Sequence, residues 1–316
     1  MYNGRICARI REEGKEETPV EDFGCTLCPR RCGADRTRET GRCGGGARAK
    51  VARAALHFWE EPPISGTRGS GAVFFSGCPL GCVYCQNREI SQGGKGLPVD
   101  TAQLANIFLD LQRQGAHNLN LVTATHYAPQ VIAALEMAGD RLHIPVVCNT
   151  GGYETVETVR MLAPYVDIWL PDFKYYSSAL SGKYSGAPDY FPVACKAVKE
   201  MVRLAGPPVF DKQGLMKSGV CLRHLVLPGC RKDSLQIMDF VGDTFPRDAL
   251  AVSLMRQFTP TEACSAFPEL NRRLTTFEYE SVEDRLRELN FRWCFVQEKG
   301  SAGKEYIPCF DYTGVL

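Results

Sequence analysis

The chain has 316 residues, 44% hydrophobic and 23% charged, enough to bury a substantial core as one large α/β domain with an appendage or as two domains. Its 37 basic and 36 acidic residues are interspersed and leave a formal net charge of +1, which gives no electrostatic footprint for nucleic acid. No stretch approaches the roughly 20 apolar residues of a membrane span and the start is polar through Glu21-Asp22, unlike a signal peptide; the expectation is a cytoplasmic protein with neither nucleic-acid nor membrane partners.

Residues 1–65 are rich in Arg, Glu and Gly, show little apolar periodicity, and carry Cys25, Cys28, Cys32 and Cys43. A core-poor segment of this kind needs a staple, and metal binding can supply its folding energy. A closed four-thiolate zinc site, a fully ligated auxiliary iron–sulfur cluster, and loosely organised reduced thiols all fit that spacing. The 15 cysteines of the whole chain are an odd total, which does not suit a complete disulfide framework. Eight of them (Cys7, Cys148, Cys195, Cys221, Cys230, Cys264, Cys294 and Cys309) are scattered and read as small buried hydrophobes without a role.

From Ala72 onward short apolar runs alternate with longer amphipathic stretches, the pattern of βα repeats on a parallel sheet. Strands are expected at Ala72 to Ser76, Asn118 to Thr123, Pro145 to Cys148, Asp167 to Leu170, Cys221 to Leu227 and Ala251 to Gln257. Helical spacing marks Val99 to Gln114, Pro129 to Ala138, Glu154 to Leu162, Tyr190 to Leu204, Ser234 to Val241 and Ser281 to Leu289. Six such units build either an open doubly wound sheet or an incomplete barrel, and in both the ligand sits at the carboxyl ends of the strands.

The first of these strands runs into Cys78-Pro79-Leu80-Gly81-Cys82-Val83-Tyr84-Cys85, three cysteines at CxxxCxxC spacing on a short loop. A cubane iron–sulfur cluster takes a thiolate at each iron, so three local cysteines would leave one iron open to a ligand that is not protein. A zinc site lacking its fourth ligand and a chance cluster are the competing readings. The same edge of the sheet would receive Thr123-Ala124-Thr125-His126, Asn149-Thr150, Asp172-Phe173-Lys174 and Gln257. In Cys221 to Leu227, alternation sends Arg223 and Leu225 to one face and His224 and Val226 to the other, without saying which face is the lumen.

These motifs resemble the radical S-adenosylmethionine (SAM) superfamily. Within it, Cys25 to Gly33, Ala54 to Glu61 and Phe75 to Asn87 resemble pyruvate formate-lyase-activating-enzyme-like proteins. The resemblance implies an α/β fold, a partial six-stranded (β/α)6 barrel over residues 66–280, with a cysteine-rich metal-binding extension at 1–65 and a C-terminal extension at 281–316. It implies a [4Fe-4S] cluster on Cys78, Cys82 and Cys85 whose open iron chelates S-adenosylmethionine, and reductive cleavage to a 5'-deoxyadenosyl radical that abstracts hydrogen from a substrate. Tyr84, Thr125, His126, Asn149, Thr150, Asp172, Lys174 and His224 are the expected cofactor-binding residues, with Asn149, Thr150 and Asp172 as oxygen ligands for a monovalent cation. Where the family has Gly-Gly-Glu after its second strand, this chain reads Thr123-Ala124-Thr125-His126-Tyr127, which puts any side-chain role there in doubt. A one-electron donor such as flavodoxin or ferredoxin is implied, and a protein (including a glycyl-radical enzyme), a peptide or a small molecule as substrate. The contrasting class is a non-catalytic electron-transfer or metal-binding protein with the same loop.

Overall fold

The computed structural model describes residues 24–298, 300 and 308–316; Cys7 and Glu21-Asp22 lie outside them. Among the described residues ten strands form one sheet: β1 (Ala49–His57), β2 (Ser70–Phe75), β3 (Leu97–Val99), β4 (Leu119–Val122), β5 (Val146–Thr150), β6 (Ile168–Pro171), β7 (Val209–Phe210), β8 (Met216–Leu225), β9 (Ala251–Met255) and β10 (Cys294–Val296). Its order is β10-β9-β8-β6-β5-β4-β2-β1-β3, with β7 paired to β8 off this path. All pairings from β2 through β10 along the path are parallel, while β1 and β3 add an antiparallel margin. Every residue of β2, β4, β5, β6 and β9 is buried, as parallel strands covered on both faces must be.

The helices are α1 (Pro62–Ser65), α2 (Arg88–Ser91), α3 (Thr101–Arg113), α4 (Ala128–Ala138), α5 (Val156–Leu162), α6 (Ser178–Ser185), α7 (Tyr190–Ala205), α8 (Arg231–Thr244) and α9 (Thr276–Leu289). Asp100 begins α3 because its carboxylate accepts from the Gln103 backbone while the Gln103 side chain returns to the Asp100 N–H, a reciprocal capping box. The stripe Leu104, Ile107, Phe108 and Leu111 on α3 is buried against the sheet. Among the described residues no helix is long and apolar enough to cross a membrane.

Each of the six segments read as strands overlaps one, and among the described residues there are four more. β1 is missed because it sits in the segment whose cysteines and glycines mask its apolar alternation; β3, β7 and β10 have only two or three residues, too few for a period. The sheet draws on all three expected segments, since residues 49–57 supply β1 and residues 294–296 supply β10. The tail is also tied in, Thr313 O accepting from Ala54 N at 2.8 Å.

Candidate active site

The loop after β2 is held open by backbone contacts. Gly77 has φ 90°, and a Cβ there would lie 2.3 Å from the Cys43 carbonyl oxygen, so only glycine permits the approach. That carbonyl accepts from Cys78 N at 3.0 Å, joining the N-terminal cysteine segment directly to the loop. On the other side Gly81 N and Val83 N donate to Ser185 O and Tyr184 O at the end of α6. Cys78, Cys82 and Cys85 all line one cavity of about 250 Å³ at the carboxyl ends of the parallel strands.

Hydroxyl donors already face the thiols, Ser185 Oγ to Cys82 Sγ at 2.9 Å and Ser91 Oγ to Cys85 Sγ at 3.4 Å. Burial, with the neighbouring thiols adding to it, pushes Cys78 well above the usual thiol range, and burial also raises Cys82. Cys78 and Cys82 are therefore held as neutral thiols, and binding a metal through them releases their protons. Among the described residues no three Cys, His, Asp or Glu side chains converge on one ion-sized point. A cubane does not ask them to, because each thiolate meets a different iron.

Opposite the thiols the strand ends supply charge. Arg223, on the lumen face of β8, donates from Nε to Asp172 Oδ1 at 2.9 Å, from Nη2 to Asn149 Oδ1 at 2.6 Å and from Nη1 to Glu60 Oε2 at 3.1 Å. Lys174 Nζ pairs with Asp172 Oδ2 at 2.5 Å. Burial works against the Lys174 charge, but Asp172 outweighs it and raises the ammonium above its ordinary value. Burial likewise pushes Asp172 up, and Arg223 and Lys174 outweigh it, leaving the carboxyl below its ordinary value. Asn149, Asp172, Lys174 and Arg223 line the same cavity as the three thiols. A pocket with three thiols on one wall and fixed cations and an amide on the other suits a ligand bearing a carboxylate.

A family model described as the radical SAM superfamily matches residues 72–210. An uncharacterized protein of Methanocaldococcus jannaschii is 30% identical over 277 residues, covering 83% of this chain and 73% of the relative. The chain belongs to the radical SAM superfamily. Among solved structures, Streptococcus suis SuiB bound to the precursor peptide SuiA aligns at TM-score 0.46 and 13% identity over 71% of this chain; SuiB bound to S-adenosylmethionine gives the same three values. The chain spans about half the length of these SuiB chains, 47% and 49%. A domain of pyruvate-formate lyase-activating enzyme from Bacteroides vulgatus aligns at TM-score 0.38 and 14% identity, over 54% of this chain and 92% of that one. Likeness at this level carries nothing about substrate.

Radical SAM membership implies a [4Fe-4S] cluster and S-adenosylmethionine, and the expected cofactor residues divide around that cavity. Tyr84 lines it, its hydroxyl accepting from Tyr175 at 2.7 Å. His224 does not: Arg223 and Leu225 take the lumen face, and the His224 nitrogens are engaged at 2.7 Å by Phe173 O and at 2.9 Å by Ser234 Oγ. His126 sits behind the loop with Nε2 3.0 Å from Ser76 O, and burial lowers it to about 4, so it is neutral. Thr125 and Thr150 both donate to the buried Glu154 rather than facing the cavity. These four stand outside the cavity lining and are engaged in hydrogen bonds beside it. Of the three residues expected to hold a monovalent cation, Asn149 Oδ1 accepts from Arg223, Thr150 donates to Glu154, and Asp172 is shared by Arg223 and Lys174.

The N-terminal cysteines gather beside this site. Cys25, Cys32 and Cys43 all act electrostatically on Cys28, which burial pushes up to about 11. Arg30 docks the segment, donating from Nε to Pro79 O at 2.9 Å and from Nη1 to Gly186 O at 2.7 Å, with its guanidinium 5.1 Å from the Tyr153 ring centre. Arg223, Glu60 and Glu61 had no place among the expected site residues. The signal for Arg223 was the β8 alternation, and for the two glutamates a pair of carboxylates between Phe58-Trp59 and Pro62-Pro63.

Proposed function

We propose that the chain reductively cleaves S-adenosylmethionine at a [4Fe-4S] cluster held by Cys78, Cys82 and Cys85, and uses it to abstract hydrogen from a protein, peptide or small-molecule substrate. The observation that carries this reading is one cavity lined both by the three thiols and by Asn149, Asp172, Lys174 and Arg223. When bound, the cluster supplies the electron that breaks a sulfur–carbon bond of S-adenosylmethionine. The chain's own residues bind and orient: Lys174 offers its ammonium to the carboxylate of methionine, Arg223 and Asp172 fix one another and hold Lys174 in place, and Tyr84 and Tyr175 close the floor against water. Ser185 and Ser91 donate to ligand sulfurs and help set the electron affinity of the site.

A one-electron donor of the flavodoxin or ferredoxin kind completes the reaction, and the four N-terminal cysteines hold zinc or a second cluster in the same reading. Activation of a glycyl-radical enzyme is one substrate option among the protein class. The test is anaerobic reconstitution with iron and sulfide, followed by dithionite and S-adenosylmethionine. The intact chain should form 5'-deoxyadenosine and methionine, and Cys82→Ala should form neither; no cleavage by the reconstituted intact chain overturns the proposal.

A further inference from the structure

A second cavity, of about 710 Å³, adjoins the first at the β10 margin of the sheet, and Trp59, Glu60 and Gln257 line both. Glu61 lines only this second one and is 7% exposed. Its Oε1 accepts from Ser253 Oγ at 3.2 Å, while its Oε2 has no hydrogen-bond donor and lies 3.8 Å from Arg223 Nη1. The neighbouring charges explain why. Asp172 takes Lys174, and the Arg223 guanidinium spends its shorter contacts on Asp172, Asn149 and Glu60. Three carboxylates thus share two cations, and Glu61 is the one left over.

Burial raises Glu61 to about 7, and the Arg223 charge, shared with Glu60 and Asp172, offsets that only in part. At the rim stand Trp59, 56% exposed, and Phe58, 48% exposed. An aromatic rim above a buried carboxylate with one oxygen lacking a donor is the arrangement that takes a cation. We propose that this cavity receives an ammonium or guanidinium group on an aliphatic stem, carried by the substrate, with Glu61 as its charge partner. The assignment rests on the radical reading, since Trp59, Glu60 and Gln257 would present the stem to the cofactor cavity.

Calorimetric titration of the full chain, without reductant or S-adenosylmethionine, tests it with N-acetyl-arginine amide and its uncharged isostere N-acetyl-citrulline amide. The arginine probe should bind saturably, with citrulline weaker by about tenfold or more, and Glu61→Gln should lose about as much. The rim variant Trp59→Leu should also weaken binding, which keeps the test intact if Glu61→Gln does not fold. Absence of arginine binding, equal binding of citrulline, or full affinity in both variants overturns the assignment. A blocked pentapeptide with a central arginine separates the sources: tighter binding than the blocked amino acid supports a cationic peptide, and exclusion of the pentapeptide while the amino acid binds supports a small cationic molecule. A chain that cleaves S-adenosylmethionine but ignores the arginine probe refutes the cation site alone. One that binds the probe but cleaves nothing refutes the radical reading alone.

Discussion

His224 and Arg223 are adjacent in sequence and opposite in consequence. Strand alternation guarantees that one faces the lumen, and what decides is which face of β8 carries the bond network: Arg223 reaches Asp172, Asn149 and Glu60, while His224 reaches Phe173 O and Ser234 Oγ on the helix side. Sequence supplied the parity but not its sign, because both residues are polar and either could face inward. The same holds for His126, whose ring is fixed by a partner 50 positions away, Ser76. His224→Ala should cost about 2 kcal/mol of stability by stranding a buried carbonyl and a buried hydroxyl, yet leave reductive cleavage of S-adenosylmethionine measurable in the folded protein. Chemical denaturation and 5'-deoxyadenosine assays on one preparation check both halves, and loss of cleavage at intact stability would return His224 to the site.

At the scale of elements, the cysteine loop and the long amphipathic helices were legible because their signals are local: a fixed spacing, and a 3.6-residue period closed by caps such as Asp100. The docking of the N-terminal segment was not, since it depends on Arg30 meeting carbonyls 49 and 156 positions away. Arg30 is the staple between that segment, the cysteine loop and the end of α6. Arg30→Ala should speed amide exchange across residues 24–46 while leaving exchange in β4 and β5 unchanged. Hydrogen-exchange mass spectrometry reads the difference, and uniform exchange in both proteins would show that the segment is held by other means.

Across the whole molecule the buried carboxylates set the response to pH. Glu154 is buried, and burial raises it to about 7 against the Thr150 and Thr125 hydroxyls that favour its charge. Its folded value lies above its unfolded one, so between about pH 4.5 and 7 the native chain holds a proton that the unfolded chain has lost. Stability from this group is therefore complete at low pH and falls as pH rises through that window, by on the order of 3 kcal/mol. Glu154→Gln should flatten the profile and be the more stable protein at pH 8, as followed by urea midpoints from pH 5 to 8; parallel profiles would contradict it. The βα alternation that announced the sheet is a whole-chain signal and survived translation to structure, whereas the short strands at its margins carry too few residues to announce themselves.

In the proposed reaction three thiols leave one iron of a cluster open beside Lys174 and Arg223. Electron paramagnetic resonance of the reduced, reconstituted protein tests it most directly, with and without S-adenosylmethionine. The account predicts that S-adenosylmethionine shifts the signal of a cluster that disappears in Cys82→Ala; a reduced-cluster spectrum indifferent to S-adenosylmethionine would contradict it.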